Sequence, residues 1–219
     1  IGRFLDEDPR GRLLPGYLHQ LTEAIAEEQK EMVIELERMN KSIDHIKEVV
    51  ATQQSYAGAK NVPVPLSVND LVEDALRMNA GALIRHQVRV VRDFADLPLV
   101  MGDRHRLLLI LINLISNAKY AMSGPGSDPR TMILRTRIIE GGLLEMSVLD
   151  EGEGIAPENL QKIFAHGFTT RKDGHGFGLH SCALAAIEMN GHLTAHSDGP
   201  GLGAVFTLRI PLIAVTEPA

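Results

Sequence analysis

DEGEGIAPENLQKIFAHGFTTRKDGHGFGL occupies residues 150–179 and decides how the rest of the chain is read. It opens on Asp-x-Gly-x-Gly (Asp150, Gly152, Gly154) after the apolar run LLEMSVL. It closes on Gly-x-Gly-x-Gly (Gly174, Gly176, Gly178) just before a helical pattern. Glycine lets a backbone approach a ligand closely and adopts positive φ. A glycine-rich turn that runs into a helix start presents free N–H groups to an anion. One turn led by a carboxylate and one followed by a helix suit a nucleotide held at its base and at its phosphates. Each motif alone also fits an ordinary turn or hinge.

Working outward, QVRVVRDF (87–94), TMILRTRIIE and LLEMSVLD alternate as strands, the last two joined at Gly141-Gly142 in a hairpin signal. LPLVMGD is a short strand or turn, and HLTAHS and AVFTLRIP are the last two strands. Helical patterns cover 68–86, 104–122, PENLQKIF with Pro157 in its first turn, and GLHSCALAAIEMN up to Gly191. Ser67 or Asn69 is placed to cap the first of these. The class is therefore α+β: a two-layer sandwich of a mixed sheet and helices over 68–212. Ahead of it, 59–67 carries Pro63 and Pro65 and reads as a linker, 17–58 as one long helix, 1–16 as a connector and 213–219 as a tail. The long helix sets Ile25, Met32, Met39 and Ile46 in one heptad column and Leu36, Ile43, Val50 and Ala57 in the other. That seam is a coiled-coil or bundle helix in need of partner helices, and a homodimer through 17–58 is expected.

The net charge of −6 argues against a general nucleic-acid binder. The one cysteine, Cys182, excludes an intramolecular disulfide and fits a reducing compartment. No run of about 18 apolar residues is present, so no membrane contact is expected within these residues. The chain starts at Ile1 rather than Met and is read as part of a longer protein whose remainder could carry a membrane segment.

In RLLLILINLISNAKYAM the residues Asn113 and Asn117 lie four apart on one helix face. Amides on so apolar a helix need partners. Their oxygens suit Mg²⁺, which takes oxygen ligands, waters and phosphate oxygens; a pair that caps a loop inside the core is the other reading. Asp150, at the end of a buried strand, can accept a hydrogen bond from an exocyclic amine and so select adenine.

These motifs, in this order and at this spacing, resemble a sensor histidine kinase of two-component signalling. The Asn box is NLISNAKYAM, the first Gly box DEGEGI, the Phe box IFAHGFTT, the second Gly box GHGFGLH and the closing box GLGAVF, together spanning 103–210. The resemblance implies the Bergerat ATP-binding sandwich shared with gyrase, Hsp90 and MutL, with ATP and Mg²⁺ as cofactors and a bacterial, cytoplasmic setting. It implies Mg²⁺ on Asn117 with Asn113 in support, and Asp150 on the adenine amine within a pocket shaped by Gly152, Gly154 and Ile155. It implies Phe164, Thr169 and Thr170 from the Phe box beside the nucleotide. Gly174, His175, Gly176, Phe177, Gly178 and Leu179 then cover the phosphates, and Arg171 and Lys172 are candidates to neutralise the γ-phosphate. Lys119 and Tyr120 also fall in the nucleotide site, although the box departs from Asn-Ala-x-Asp-Ala-Met: Tyr120 stands where Asp would sit.

The phosphoacceptor pattern of such kinases, His then an acid and Asn or Thr four residues on, is not met. His45 precedes Ile46 with Val49 four on, and His19 precedes Gln20 with Glu23 four on. Helix 17–58 therefore resembles the second helix of the family's dimeric hairpin, with the accepting histidine expected upstream and His45 a weak candidate. His192 and His196, about 13 Å apart on a strand, cannot share a metal ion. The expected function is ATP γ-phosphoryl donation to a histidine, then relay to a response-regulator receiver domain. The alternatives are a nucleotide-gated dimerisation module without kinase activity and a Ser-type kinase of the same superfamily.

Overall fold

The computed structural model describes residues 8–56, 63–124, 130–171, 174 and 176–213. They fall into two compact units that divide between Val50 and Ala51.

The first unit is built on helix α1 (Pro9–Tyr56). It starts earlier than the sequence suggests, so residues 9–16 belong to the helix and not to a connector. Asp8 accounts for the start: its Oδ1 accepts the Arg10 N–H at 2.8 Å, and Pro9 occupies the first helical position, where the missing N–H costs nothing. Pro15 lies inside the helix, where a proline forfeits one backbone hydrogen bond. Of the heptad residues, Ile25, Met32, Leu36 and Met39 are exposed on the single chain. The His45 side chain lies outside the described residues, as do residues 57 and 58 at the end of the expected helix.

The second unit contains β1 (Val64–Leu66), α2 (Val68–Arg85), β2 (Arg89–Phe94), β3 (Val100–Gly102), α3 (Arg104–Ala121), β4 (Thr131–Ile139), β5 (Leu143–Asp150), the short α4 (Pro157–Leu160), α5 (Gly178–Glu188), β6 (His192–His196) and β7 (Ala204–Pro211). Five strands form one mixed sheet in the order β2-β4-β5-β7-β6, parallel between β2 and β4 and antiparallel elsewhere. Two expectations are corrected at its margins. Residues 64–66 pair with β3 instead of forming linker, which Pro65 permits because a two-stranded ribbon leaves each strand an unpaired edge. Ile213, read as tail, accepts the Met101 N–H at 2.8 Å and so belongs to the sandwich.

The pleat sorts the strands into two faces. Met132, Leu134 and Thr136 of β4, Leu144, Met146 and Val148 of β5, and Phe206, Leu208 and Ile210 of β7 are buried against the helices. From α3 come Leu107, Ile110, Leu111, Leu114 and Ile115, and from α2 Leu71, Val72 and Leu76. The opposite face carries cross-strand polar pairs: Arg135 and Arg137 on Asp93, Arg209 on Glu145, and Ser147 against Thr207. One face can be apolar and the other wet, which is how an antiparallel-rich sheet tolerates helices on one side only.

Ser67 is the cap of α2, accepting from the Asp70 N–H. Asn69 turns inward instead. Its Nδ2 donates to the Ala95 carbonyl at 2.9 Å, and its Oδ1 accepts from the buried Thr136 hydroxyl at 2.8 Å. Asn69→Ala strands that hydroxyl, so it should lower unfolding free energy by about 1–3 kcal/mol in urea titrations. Adding Thr136→Val should recover part of the loss; fully additive costs would refute the bridge.

Candidate functional site

The site is assembled where β5 runs out beside the end of α3. The pleat that points Leu144, Met146 and Val148 into the core also points Asp150 inward. Asp150 Oδ1 accepts the Gly152 N–H at 2.9 Å. Its Oδ2 is buried, with no hydrogen-bond partner at bonding geometry among the described residues. Burial raises this carboxyl from its ordinary 3.8 to about 6, with the backbone N–H groups of Gly152 and Ala204 pulling it down and Glu153 adding a small push upward.

The first Gly box wraps this carboxylate against α3. The Glu153 N–H donates to the Ala121 carbonyl at 2.9 Å. A Cβ on Gly152 would lie 2.6 Å from Asp150 Oδ1 and 2.7 Å from Ala121 Cβ, so only glycine allows the approach. Gly154 holds φ +68° and its Cβ would strike the Gly199 carbonyl. Ile155 packs half-buried on the core.

Arg171 meets α3 on the same side. Its Nη2 donates to Asn117 Oδ1 at 2.7 Å, and its guanidinium carbon lies 4.1 Å from the centre of the Tyr120 ring. Asn113 Nδ2 donates back to the Leu109 carbonyl at 3.2 Å, while its Oδ1 faces Gly178, where a Cβ would come within 2.8 Å. Thr169 Oγ1 accepts the Arg171 N–H at 3.1 Å and packs on Gly174; Thr170 is exposed. The Phe box and the second Gly box are laced together by the Gly167 N–H on the Gly176 carbonyl at 3.1 Å and by His180 Nδ1 on the Phe164 carbonyl at 2.9 Å. The Phe177 ring lies tilted against His166, with centroids 4.8 Å apart, and Leu179 packs on the core. Lys172 and His175 lie outside the described residues, and Lys119 is half-buried.

Residues 102–214 match the family model described as histidine kinase-, DNA gyrase B- and HSP90-like ATPase. The chain belongs to that family. Its similar relatives are sensor kinases: it is 29% identical to the sensor histidine kinase ZraS of Salmonella typhi, across 96% of this chain and 41% of that protein. It is 34% identical to the sensor protein TorS of Escherichia coli K12, across 74% of this chain and 18% of TorS. Against SenX3 of Mycolicibacterium smegmatis, a sensor-like histidine kinase, it is 30% identical across 83% of this chain and 47% of that protein. The chain thus spans less than half the length of these curated relatives. Among solved structures, full-length ShkA in complex with AMPPNP aligns at a TM-score of 0.70, with 23% identity, over 88% of this chain and 40% of that one. The catalytic domain of the histidine kinase ThkA aligns at 0.59, with 24% identity, over 68% of this chain and 95% of that one. These share the fold of the sandwich.

Two residues that tie the loops around Asp150 and the Phe box together were not legible as such. Ser197 is buried; its hydroxyl donates to the Gly203 carbonyl at 2.6 Å and accepts from the Ile155 N–H at 3.0 Å and the Gly199 N–H at 3.3 Å. Its only trace in the sequence is a turn signal, Ser before Asp-Gly. His180 looked like a helix residue, and its tie to Phe164 depends on a loop fold that no periodicity encodes. Among the described residues no three His, Cys, Asp or Glu side chains cluster to hold a metal ion.

Because the Asp150 carboxyl binds its proton more tightly folded than unfolded, its ionisation costs stability above about pH 6, and the cost fades as pH falls toward 3.8. Asp150→Asn should therefore be the more stable protein at pH 7, by up to about 3 kcal/mol, and lose that advantage progressively between pH 6 and pH 4. Denaturant unfolding of both proteins across this range checks it; a gap independent of pH would show that burial of the charge is not the cause.

Proposed function

We propose that the sandwich binds ATP with Mg²⁺ and donates the γ-phosphoryl group to a histidine carried elsewhere in the protein, for relay to a receiver-domain aspartate of a response regulator. The observation that supports this best is the buried Asp150 Oδ2, which no donor among the described residues meets at hydrogen-bonding geometry, at the rim of a glycine-shaped collar. A carboxylate kept there against its own desolvation cost suits an exocyclic amine, such as that of adenine. The donor set for the metal also fits: Asn117 Oδ1 is a neutral oxygen that already attracts a cation. Mg²⁺ would complete its shell with waters and phosphate oxygens. When bound, it would neutralise phosphate charge in the transfer.

Within this reading Asp150 orients the base, and Gly152 and Gly154 let the backbone approach it. Asn117 would hold the metal. Gly174, Gly176 and Gly178, followed by the N-terminus of α5, would face the phosphates. Lys172 and Arg171 are the cations available for the γ-phosphate. The exposed apolar stripe of α1, from Ile25 to Met39, supports a homodimer through that helix. No helix among the described residues is long and apolar enough to cross a membrane.

Calorimetric titration of ATP in the presence of Mg²⁺ tests the proposal. Asp150→Ala should weaken binding about ten- to a hundredfold, the worth of a hydrogen bond to a charged acceptor, and should remove the preference for ATP over GTP. Asn117→Ala should abolish the Mg²⁺-dependent part of the affinity. Affinities unchanged in both variants would sink the reading.

A further inference from the structure

We infer that Arg171 is a built-in counter-cation for the metal-binding oxygen of Asn117, held in place by the face of Tyr120, and that Mg²⁺ enters only by displacing it. The inference rests on the nucleotide reading above and adds a competitor inside the chain.

Three observations carry it. Arg171 Nη2 donates to Asn117 Oδ1 at 2.7 Å, the length of a charge-assisted bond. The same guanidinium lies 4.1 Å from the Tyr120 ring centre, a cation–π distance, and Tyr120 stands on α3 three residues beyond Asn117. The Arg171 backbone is fixed by its own turn: its N–H donates to Thr169 Oγ1 at 3.1 Å and its carbonyl accepts the Gly174 N–H at 3.3 Å. The side chain is thus aimed at α3 from a defined anchor.

The electrostatics make the two cations exclusive. A guanidinium and Mg²⁺ sharing one carboxamide oxygen would sit within a few ångströms of each other, close enough to repel even at this part-buried position beside the exposed Tyr120 ring. Tyr120 accounts for its own departure from the Asn-Ala-x-Asp-Ala-Met pattern. An aspartate there would hold the arginine through charge, and its oxygens would also draw the metal. An aromatic face holds the planar guanidinium and offers no carboxylate to Mg²⁺. Tyr120 is therefore a positioning residue that acts through Arg171. Once displaced from Asn117, the same guanidinium can turn to a phosphate, so metal entry and cation delivery become one exchange.

The test uses the whole chain and ADP, which lacks the γ-phosphate and so removes any contact Arg171 makes to it. Binding of ADP is followed by calorimetry at a series of Mg²⁺ concentrations, and thermal melting confirms that each variant is folded. Occupancy of Asn117 by Arg171 in roughly 80–90% of molecules would weaken apparent metal affinity about five- to tenfold. Arg171→Ala, and Arg171→Gln as a second variant, should lower the half-maximal Mg²⁺ concentration by that factor. Tyr120→Leu should shift it the same way by less, and Tyr120→Phe should match the wild type. An unchanged or higher Mg²⁺ midpoint in both Arg171 variants would overturn the inference, as would a higher midpoint in Tyr120→Leu. A wild-type chain that binds no ADP at any Mg²⁺ concentration would instead overturn the nucleotide reading itself.

Discussion

The register of β5 is the constraint on which the site depends. Leu144, Met146, Val148 and Asp150 share one face of the strand because the pleat repeats every two residues. The first three anchor that face to the helix layer, and the fourth follows without choice. A slip of one residue would turn the three apolar side chains to water and Asp150 with them, so core packing is what forces a carboxylate to stay buried. The protein carries an ionisable group with an unmatched oxygen at the edge of its own core, a strain that stability alone would not select.

What surrounds that carboxylate is mostly backbone. Gly152 and Gly154 remove side chains where the loop must pass Ala121 and Gly199, and the collar that results is walled by peptide groups. On the other side, α3 contributes polar groups of different kinds within its last turns. Asn113 packs against Gly178, Asn117 accepts from Arg171, and Tyr120 offers its ring to the same arginine. One apolar helix thus serves as the floor of the core on one face and as a ledge for charge on another.

The sandwich, its mixed sheet and its order of elements were readable because α3, β4, β5 and β7 are long and keep one period throughout. The early start of α1 was not, since Pro15 and Gly16 are read locally as breakers, whereas Asp8 and Pro9 supply a better start. β1 was missed for a similar reason: three residues with a proline carry no period, and only β3, far along the chain, gives them a partner. Asn113, Asn117, Asp150 and the glycines could be named from spacing. Their contacts could not, because Arg171 reaches Asn117 across 54 residues of sequence. Asn69 shows the same limit: its type suits a cap, yet the neighbouring Ser67 takes that role and Asn69 faces the core.

The Ser197 hydroxyl has a dynamic consequence. Through Gly203, Gly199 and Ile155 it joins the turn before β7 to the loop after β5, and the Gly201 N–H on the Glu153 carbonyl at 2.6 Å adds a second tie. Loop amides ordinarily exchange with solvent hydrogen one at a time. Here those of Ile155 and Gly199 both donate to the Ser197 hydroxyl, while those of Gly201 and Gly203 donate across to the Glu153 and Gly152 carbonyls, so freeing them requires the two loops to part together, and a stretch without helix or strand should exchange as one slow unit.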